Sequence, residues 1–240
     1  MKAKILGLAA VFALVSFASS ASAAIYDYTF TGTIVGSNST DALGLFGTAG
    51  ASLSGDAFQI VYTLNTANAG ETNNAGTISE LGGGAIWQSV SLGSAVLTIN
   101  GTNFTVAGTQ DSDAYVYGNS GCCLELDWAD LTADKNGIPS EIQLTQQATN
   151  NSGAIPSQVA SAFALSTGSG TSFSGNLDIV ELGQYASLAE YLTLDATNLT
   201  VVDPPSGSIS GVPEPATWAM MLIGFGLVGL RLRHRAAGLA

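Results

Sequence analysis

Between residues 24 and 202 the hydrophobic pattern has a short period. Apolar and polar residues alternate in short runs, of which Ile25 to Val35 is an example, and no segment keeps the 3.6-residue period of an amphipathic helix. Turn-forming residues separate the runs, and the 240-residue chain contains 29 Gly. The pattern disfavours a helical bundle and predicts an all-β body in which each strand buries one face.

The clearest local signal is the dipeptide Asn100-Gly101, which lies between two β-rich runs, 95–99 and 102–106. Both residues tolerate the positive φ that a two-residue hairpin turn needs, so the sequence predicts a hairpin here. Further strands are predicted at 25–35, 57–64, 85–92, 114–117, 124–128, 141–147, 163–166, 173–182 and 191–202, with 141–147 at a sheet edge. Loops are predicted at 36–56 and 65–84, and a helical turn near 187–191. About ten short strands joined by turns predict a β-sandwich or jelly roll over residues 24–202.

Residues 1–23 have the three parts of a secretory signal peptide. Lys2 and Lys4 give a positive start, residues 5–17 are apolar, and small residues at 21–23 offer a cleavage site before Ala24. An uncleaved N-terminal anchor is the alternative, but the apolar run is short for a membrane span. The sequence therefore predicts export of the body.

The body is strongly acidic. Between residues 24 and 212 it holds 17 of the 18 Asp and Glu residues and a single cation, Lys135, which gives a formal charge of −16. We expect no nucleic-acid binding, because there is no cationic surface to neutralise phosphates. The one His, His234, lies outside the body. This excludes Ser-His-Asp catalysis and His-ligated zinc within it, and leaves a pair of carboxylates as the main catalytic route.

The C-terminal region divides into a linker, an apolar segment and a basic cluster. Residues 203–211 are rich in Pro, Gly and Ser, which predicts a flexible linker. The apolar run from Ala216 to Leu230 spans roughly 22 Å as a helix, short of the roughly 30 Å hydrocarbon core, so flanking Arg side chains must extend it. The sequence predicts one transmembrane helix within 212–235, with its basic end in the cytoplasm and a short tail at 236–240.

Eight residues of this region stand in a specific order: Pro213, Glu214, Pro215, Trp218, Ala219, Arg231, Arg233 and Arg235. With the apolar run between them, they resemble a PEP-CTERM sorting signal of the PEPxxWA variant. The resemblance implies a Gram-negative exported protein whose precursor is held in the inner membrane until an exosortase, a membrane Cys protease, cuts near the Pro-Glu-Pro motif. It also implies delivery to the outer surface or extracellular matrix, where such proteins accompany exopolysaccharide and biofilm.

The two cysteines of the chain are adjacent, at Cys122 and Cys123. An oxidising compartment allows a vicinal disulfide between them, which would shape a turn that faces a ligand. A plain structural turn and two reduced thiols are the alternatives. Two sulfurs without a His are too few for a closed zinc site.

The densest acidic stretch runs from Glu125 to Gly137. Asp130, Asp134 and Asn136 are candidate Ca²⁺ ligands, but the stretch does not have the residues of an EF-hand at the first and last ligand positions. A solvated acidic turn is the alternative. We expect no other metal and no organic cofactor.

The sequence favours a structural or binding role in the exopolysaccharide matrix, without enzymatic activity. The first alternative is a glycan-binding module in which Trp87, Trp128, Tyr115 and Tyr117 stack on sugars, although these residues also suit a core. The second is a carboxylate-dependent glycan hydrolase that uses Glu125 and Asp127, which point to one face of a strand.

Overall fold

The structure is a computed structural model that describes residues 24–73, 78–117, 122–133, 139–168, 170–182 and 187–202. The predicted signal peptide at 1–23, the linker at 203–211, the sorting segment at 212–235 and the tail at 236–240 lie outside these residues. The eight residues of the PEP-CTERM resemblance therefore lie outside them as well.

The described residues form thirteen strands that all pair antiparallel. The strands are β1 (Ile25–Asp41), β2 (Ala51–Ser52), β3 (Ala57–Asn65), β4 (Glu71–Asn73), β5 (Ile78–Gly83), β6 (Gly93–Ile99), β7 (Thr102–Val106), β8 (Asp111–Tyr117), β9 (Cys123–Ala133), β10 (Pro139–Asn150), β11 (Phe163–Ser166), β12 (Thr171–Glu181) and β13 (Ser187–Val202). They are hydrogen-bonded in the order β4-β5-β8-β9-β10-β12-β13-β1-β3-β6-β7, with β11 beside β13 and β2 beside β1. The structure confirms the predicted all-β class.

The sheet is one continuous ladder that curls so that its inner face encloses the core. The ring of Tyr62 on β3 lies 5.0 Å from that of Trp128 on β9, measured between centroids. The Tyr62 hydroxyl donates a hydrogen bond of 3.2 Å to the Leu144 carbonyl on β10. Tyr62, Trp128 and Leu144 are fully buried. The sequence predicted a sandwich of two sheets. In the structure, the strands that face each other across the core belong to one sheet instead.

The hairpin predicted at Asn100-Gly101 is confirmed. Asn100 and Gly101 have φ angles of 52° and 79°, the left-handed values that this turn requires. The ladder between β6 and β7 runs from Ala95 opposite Val106 to Ile99 opposite Thr102.

The strand predicted at 85–92 is wrong. A 3-10 turn at Ala85–Trp87 replaces it, and the chain reverses at Gly84 and Gln88, whose φ angles are 97° and 54°. The turn lets the Trp87 ring lie directly on β5, where a Cβ at Gly82 would come within 2.4 Å of the ring atom Cδ2. The alternation of apolar and polar residues in this segment therefore reflects a packed turn.

Other elements also differ from the predictions in type, bounds or position in the sheet. The polar strand predicted at an edge is the interior strand β10, between β9 and β12, because its polar side chains bond to those of neighbouring strands. The predicted helical turn near 187–191 is part of β13. β1 continues to Asp41, and β2, β4 and β5 lie within the segments predicted as loops.

Candidate functional site

The outward side of the sheet carries a set of half-buried polar and aromatic side chains. On β8, alternation turns Ser112, Ala114 and Val116 into the core and leaves the residues between them outward. The same alternation operates on β9 and β10. We call the resulting surface the polar face; its residues are Glu80, Trp87, Asp111, Asp113, Tyr115, Tyr117, Glu125, Asp127, Gln143, Thr145 and Gln147.

Strand register brings these residues together across the sheet. Asp113 on β8 is the direct partner of Asp127 on β9, and Tyr115 is the partner of Glu125. Directly opposed residues in antiparallel strands have Cβ atoms about 5 Å apart, so their side chains interact. Glu125 and Asp127 share one face, as their spacing predicted. The partner of Asp127 on β8 was not predicted from the sequence.

Amide side chains of β10 hold the carboxylates of β9. Gln143 Nε2 donates to Asp127 Oδ2 at 2.8 Å, and Gln147 Nε2 donates to Glu125 Oε2 at 3.0 Å. Gln147 Nε2 also donates to the Tyr117 hydroxyl at 2.9 Å. These bonds fix the side chains in place before any ligand arrives, which lowers the entropy cost of binding.

Three of the four aromatic residues considered for sugar stacking lie on the polar face. The rings of Tyr115 and Tyr117 are 5.5 Å apart, with an angle of 33° between their planes. Trp87 lies over Gly82 and donates from Nε1 to Asp111 Oδ1 at 2.8 Å. The fourth, Trp128, is 0% exposed and belongs to the core. The hypothesis that Trp128 stacks on a sugar is therefore wrong.

Burial raises the pKa of three carboxyl groups of the polar face, those of Asp111, Asp113 and Asp127. Burial raises the pKa of Asp113 to about 7, with further contributions from Glu80, Asp111 and Asp127. Burial likewise raises the pKa of Asp127 to about 6, against the opposing hydrogen bond from Gln143. Asp113 Oδ1 is buried without a hydrogen-bond partner. None of the described residues is Lys, Arg or His, so no basic side chain among them neutralises this charge.

This electrostatic arrangement predicts that the free energy of unfolding falls as the pH rises from 5 to 8. The native state binds more protons than the unfolded state between pH 3.8 and about 7, because the pKa of Asp113 is higher in the native state. We expect Asp113→Asn to reduce this decrease in the free energy of unfolding. At pH 8 the variant should be more stable than the wild type by on the order of 1–2 kcal/mol, because solvent screens part of the cost of the Asp113 charge. Urea denaturation at several pH values measures this.

The exposed Asp195 on β13 supplies the matched control, and we expect Asp195→Asn to leave the pH profile unchanged. A free energy of unfolding that rises steadily from pH 5 to pH 8 in the wild type would contradict the arrangement described for Asp113.

Asp130, a candidate Ca²⁺ ligand, organises the connection between β7 and β8. Its Oδ2 accepts from the Ala107 N–H at 2.6 Å, and its Oδ1 accepts from the Thr109 N–H at 2.7 Å and the Thr109 hydroxyl at 2.6 Å. The other two candidates, Asp134 and Asn136, lie outside the described residues. Within the described ranges, no group of three or more His, Cys, Asp or Glu side chains is placed to hold a metal ion.

The Sγ atoms of Cys122 and Cys123 are joined as a disulfide, with the two Cα atoms 3.8 Å apart. Cys123 is the ladder partner of Tyr117 on β8. Cys122 Sγ lies 3.2 Å from the Tyr117 carbonyl oxygen. The cysteine pair thus lies beside the aromatic end of the polar face.

The C-terminal region was compared with known protein families. Residues 211–236 match the model of the family described as PEP-CTERM protein-sorting motif. The chain carries a PEP-CTERM sorting motif. The PEP-CTERM motif indicates an exported protein whose membrane-anchored precursor is sorted to the cell surface by an exosortase.

The PEP-CTERM match contains all eight residues on which the resemblance was based and covers no part of the β body. No curated protein and no solved structure matches the chain. Among the residues that the structure describes, none of the helices is long and apolar enough to cross a membrane.

The sequence did not indicate several residues of the polar face. Asp111, Asp113, Gln143 and Gln147 occur at alternate positions of two strands, so their spacing shows which residues share a strand face. It does not show which strands are neighbours. The pairing of β8 with β9 and of β9 with β10 supplies that information.

Proposed function

We propose that this protein is a non-enzymatic component of an exopolysaccharide matrix, and that its polar face binds glycan. The exported chain is held in the inner membrane by its C-terminal helix until an exosortase acts at the PEP-CTERM motif, after which the β body reaches the outer surface or matrix. The observation that carries the binding role is the association of Tyr115, Tyr117 and Trp87 with pre-positioned carboxylate and amide groups on one face of the sheet.

The composition of the polar face suits a sugar ring. The C–H groups of a pyranose pack against aromatic rings, which offer large apolar area at low entropy cost. Hydroxyl groups of the sugar donate to carboxylates and accept from amides, and the polar face carries carboxylates on β9 beside amides on β10. A curled sheet also presents several such groups to one extended polymer.

Charge narrows the class of polysaccharide. The polar face contains five carboxylates and no cationic side chain: Glu80, Asp111, Asp113, Glu125 and Asp127. Such a surface repels uronic acids, sulfates and phosphates and favours neutral polymers or polymers with free amino groups. We therefore propose a neutral or amino-sugar polysaccharide as the ligand.

One observation favours the alternative of a carboxylate-dependent hydrolase. The pKa values of Asp113 and Asp127, about 7 and about 6, allow one group to be protonated while the other is charged near neutral pH. The hydrogen bonds from Gln143 and Gln147 to Asp127 and Glu125 occupy the carboxylates of β9, however, and suit a fixed binding surface better. We expect no release of reducing ends from any bound polysaccharide.

The test is retention of the exported chain, residues 24–240 in detergent, on immobilised polysaccharides of three classes. We expect retention on a neutral β-glucan or on chitosan, and none on alginate, whose uronic acids repel the polar face. Reducing ends are measured in parallel on the same samples. Retention on alginate alone, or on none of the three, would contradict the proposed function, and release of reducing ends would favour the hydrolase.

A further inference from the structure

A second group of charged residues lies at the far end of β1, away from the polar face. Asp41 ends β1 and is 0% exposed, and Glu190 on β13 is 2% exposed. Thr40 and Tyr191 are ladder partners in the antiparallel pair of β1 and β13. Asp41 and Glu190 are the next residues of the two strands beyond this pair, and we call them the carboxylate corner.

Backbone N–H groups of the following loop point at the carboxylate corner. Leu45 donates to Asp41 Oδ1 at 2.6 Å, Phe46 donates to Asp41 Oδ2 at 3.0 Å, and Leu43 donates to Glu190 Oε2 at 2.9 Å. Hydrogen bonds from N–H donors stabilise the ionised form of a carboxyl group. The backbone of the loop is therefore folded around the two side chains of the carboxylate corner.

One oxygen of the corner has no partner. Glu190 Oε1 is buried and accepts no hydrogen bond in the structure. Burial raises the pKa of Glu190, the Leu43 N–H opposes the rise, and the Asp41 carboxylate adds to it. An unpaired buried oxygen on a charged group costs a substantial part of the free energy of folding, unless a cation or proton compensates.

Nothing basic among the described residues is available to compensate the corner, since none of them is Lys, Arg or His. A cation from solution can supply the compensating charge. Carboxylate and carbonyl oxygens are hard ligands, which select Ca²⁺ over softer transition metals. Leu43, whose N–H donates to Glu190, is 48% exposed, so the loop that covers the carboxylate corner lies at the protein surface.

We propose that Asp41 and Glu190 bind a Ca²⁺ ion, which backbone carbonyls and water complete to its usual coordination. This site is separate from the Ca²⁺ ligands predicted at Asp130, Asp134 and Asn136, and it does not depend on glycan binding. Because the site has only two side-chain ligands, we expect it to bind Ca²⁺ as weakly as extracellular modules do, with a dissociation constant of about 10⁻⁴–10⁻³ M. The ion fastens the loop to β13 and stabilises the exported body.

Thermal unfolding of residues 24–240 in detergent, followed by circular dichroism, tests the site. We expect 10 mM CaCl₂ to raise the Tm over that in EDTA by on the order of 5 °C. In Glu190→Gln the increase is lost, because the amide removes the charge that holds the ion. Asp195→Asn, on the same strand but exposed, keeps the increase.

A calorimetric measurement replaces the thermal test if the variant does not fold, and three results would contradict the site. If Glu190→Gln does not fold, calorimetric titration of the wild type and of Asp134→Asn with Ca²⁺ replaces it, and equal binding by both supports the carboxylate corner. The proposal is overturned if the wild type shows no Ca²⁺ response. It is also overturned if the response survives in Glu190→Gln. Loss of the response in Asp134→Asn overturns it too, because that result would assign the ion to the acidic stretch from Glu125 to Gly137.

Discussion

Replacing Trp128 by alanine is expected to lower the free energy of unfolding by about 3–5 kcal/mol. Trp128 is 0% exposed and packs against the Tyr62 ring across the core. A Cβ at Gly108 would lie 2.4 Å from its Cδ1 atom, which shows how closely the backbone approaches the indole. Its Nε1 has no hydrogen-bond partner, so the loss comes from packing and from the cavity that remains.

Urea denaturation followed by circular dichroism measures the effect. The matched control is Val90→Ala, because Val90 is 65% exposed and surface substitutions usually change stability by about 0.5 kcal/mol or less. A loss below about 1 kcal/mol for Trp128→Ala would contradict a curled sheet in which β3 packs on β9.

Replacing Pro213 and Pro215 by alanine is expected to leave the precursor uncut in the inner membrane. Each Pro fixes φ and has no N–H, so we expect the Pro-Glu-Pro segment to disfavour both helix and sheet and to be recognised in an extended form. Alanine would allow the helix predicted after Pro215 to begin earlier and would remove the restriction on φ. Because an exosortase must recognise this segment before cutting, we expect loss of nearly all processing.

Immunoblots of inner-membrane, outer-membrane and culture fractions measure this result, since the uncut precursor is larger than the product. Pro204 and Pro205 in the linker supply a matched control, because their double replacement removes two Pro outside the motif. We expect normal processing in that control. Unchanged processing of the Pro213 and Pro215 variant would contradict recognition of the motif by a processing enzyme.

The local part of the fold was readable from the sequence. Asn100-Gly101 predicted its hairpin, because the turn needs positive φ at both positions and few other dipeptides tolerate it. The strand at 163–166 was also predicted with the bounds that the structure gives. The segment 85–92 was mispredicted, since its alternation comes from residues that pack on β5 within a turn.

The candidate sites depend on contacts that sequence spacing does not reveal. Glu125 and Asp127 were predicted on one face, because alternation within a strand is a local property. Asp113 joins them only through strand register, and Asp41 meets Glu190 from the opposite end of the chain. The position of Trp128 was mispredicted for a related reason. A Trp is common both in glycan sites and in protein cores, and its burial here follows from the way the sheet curls.

The central claim is that the polar face binds polysaccharide, and the dissociation constant of a double variant tests it most directly. We expect Tyr115→Ala with Tyr117→Ala to weaken binding to the retained polysaccharide roughly tenfold or more, because two stacking rings are lost. Thr102→Ala with Thr105→Ala, at exposed positions of β7, should leave the constant unchanged. An unchanged dissociation constant in a folded Tyr115 and Tyr117 variant would contradict the claim.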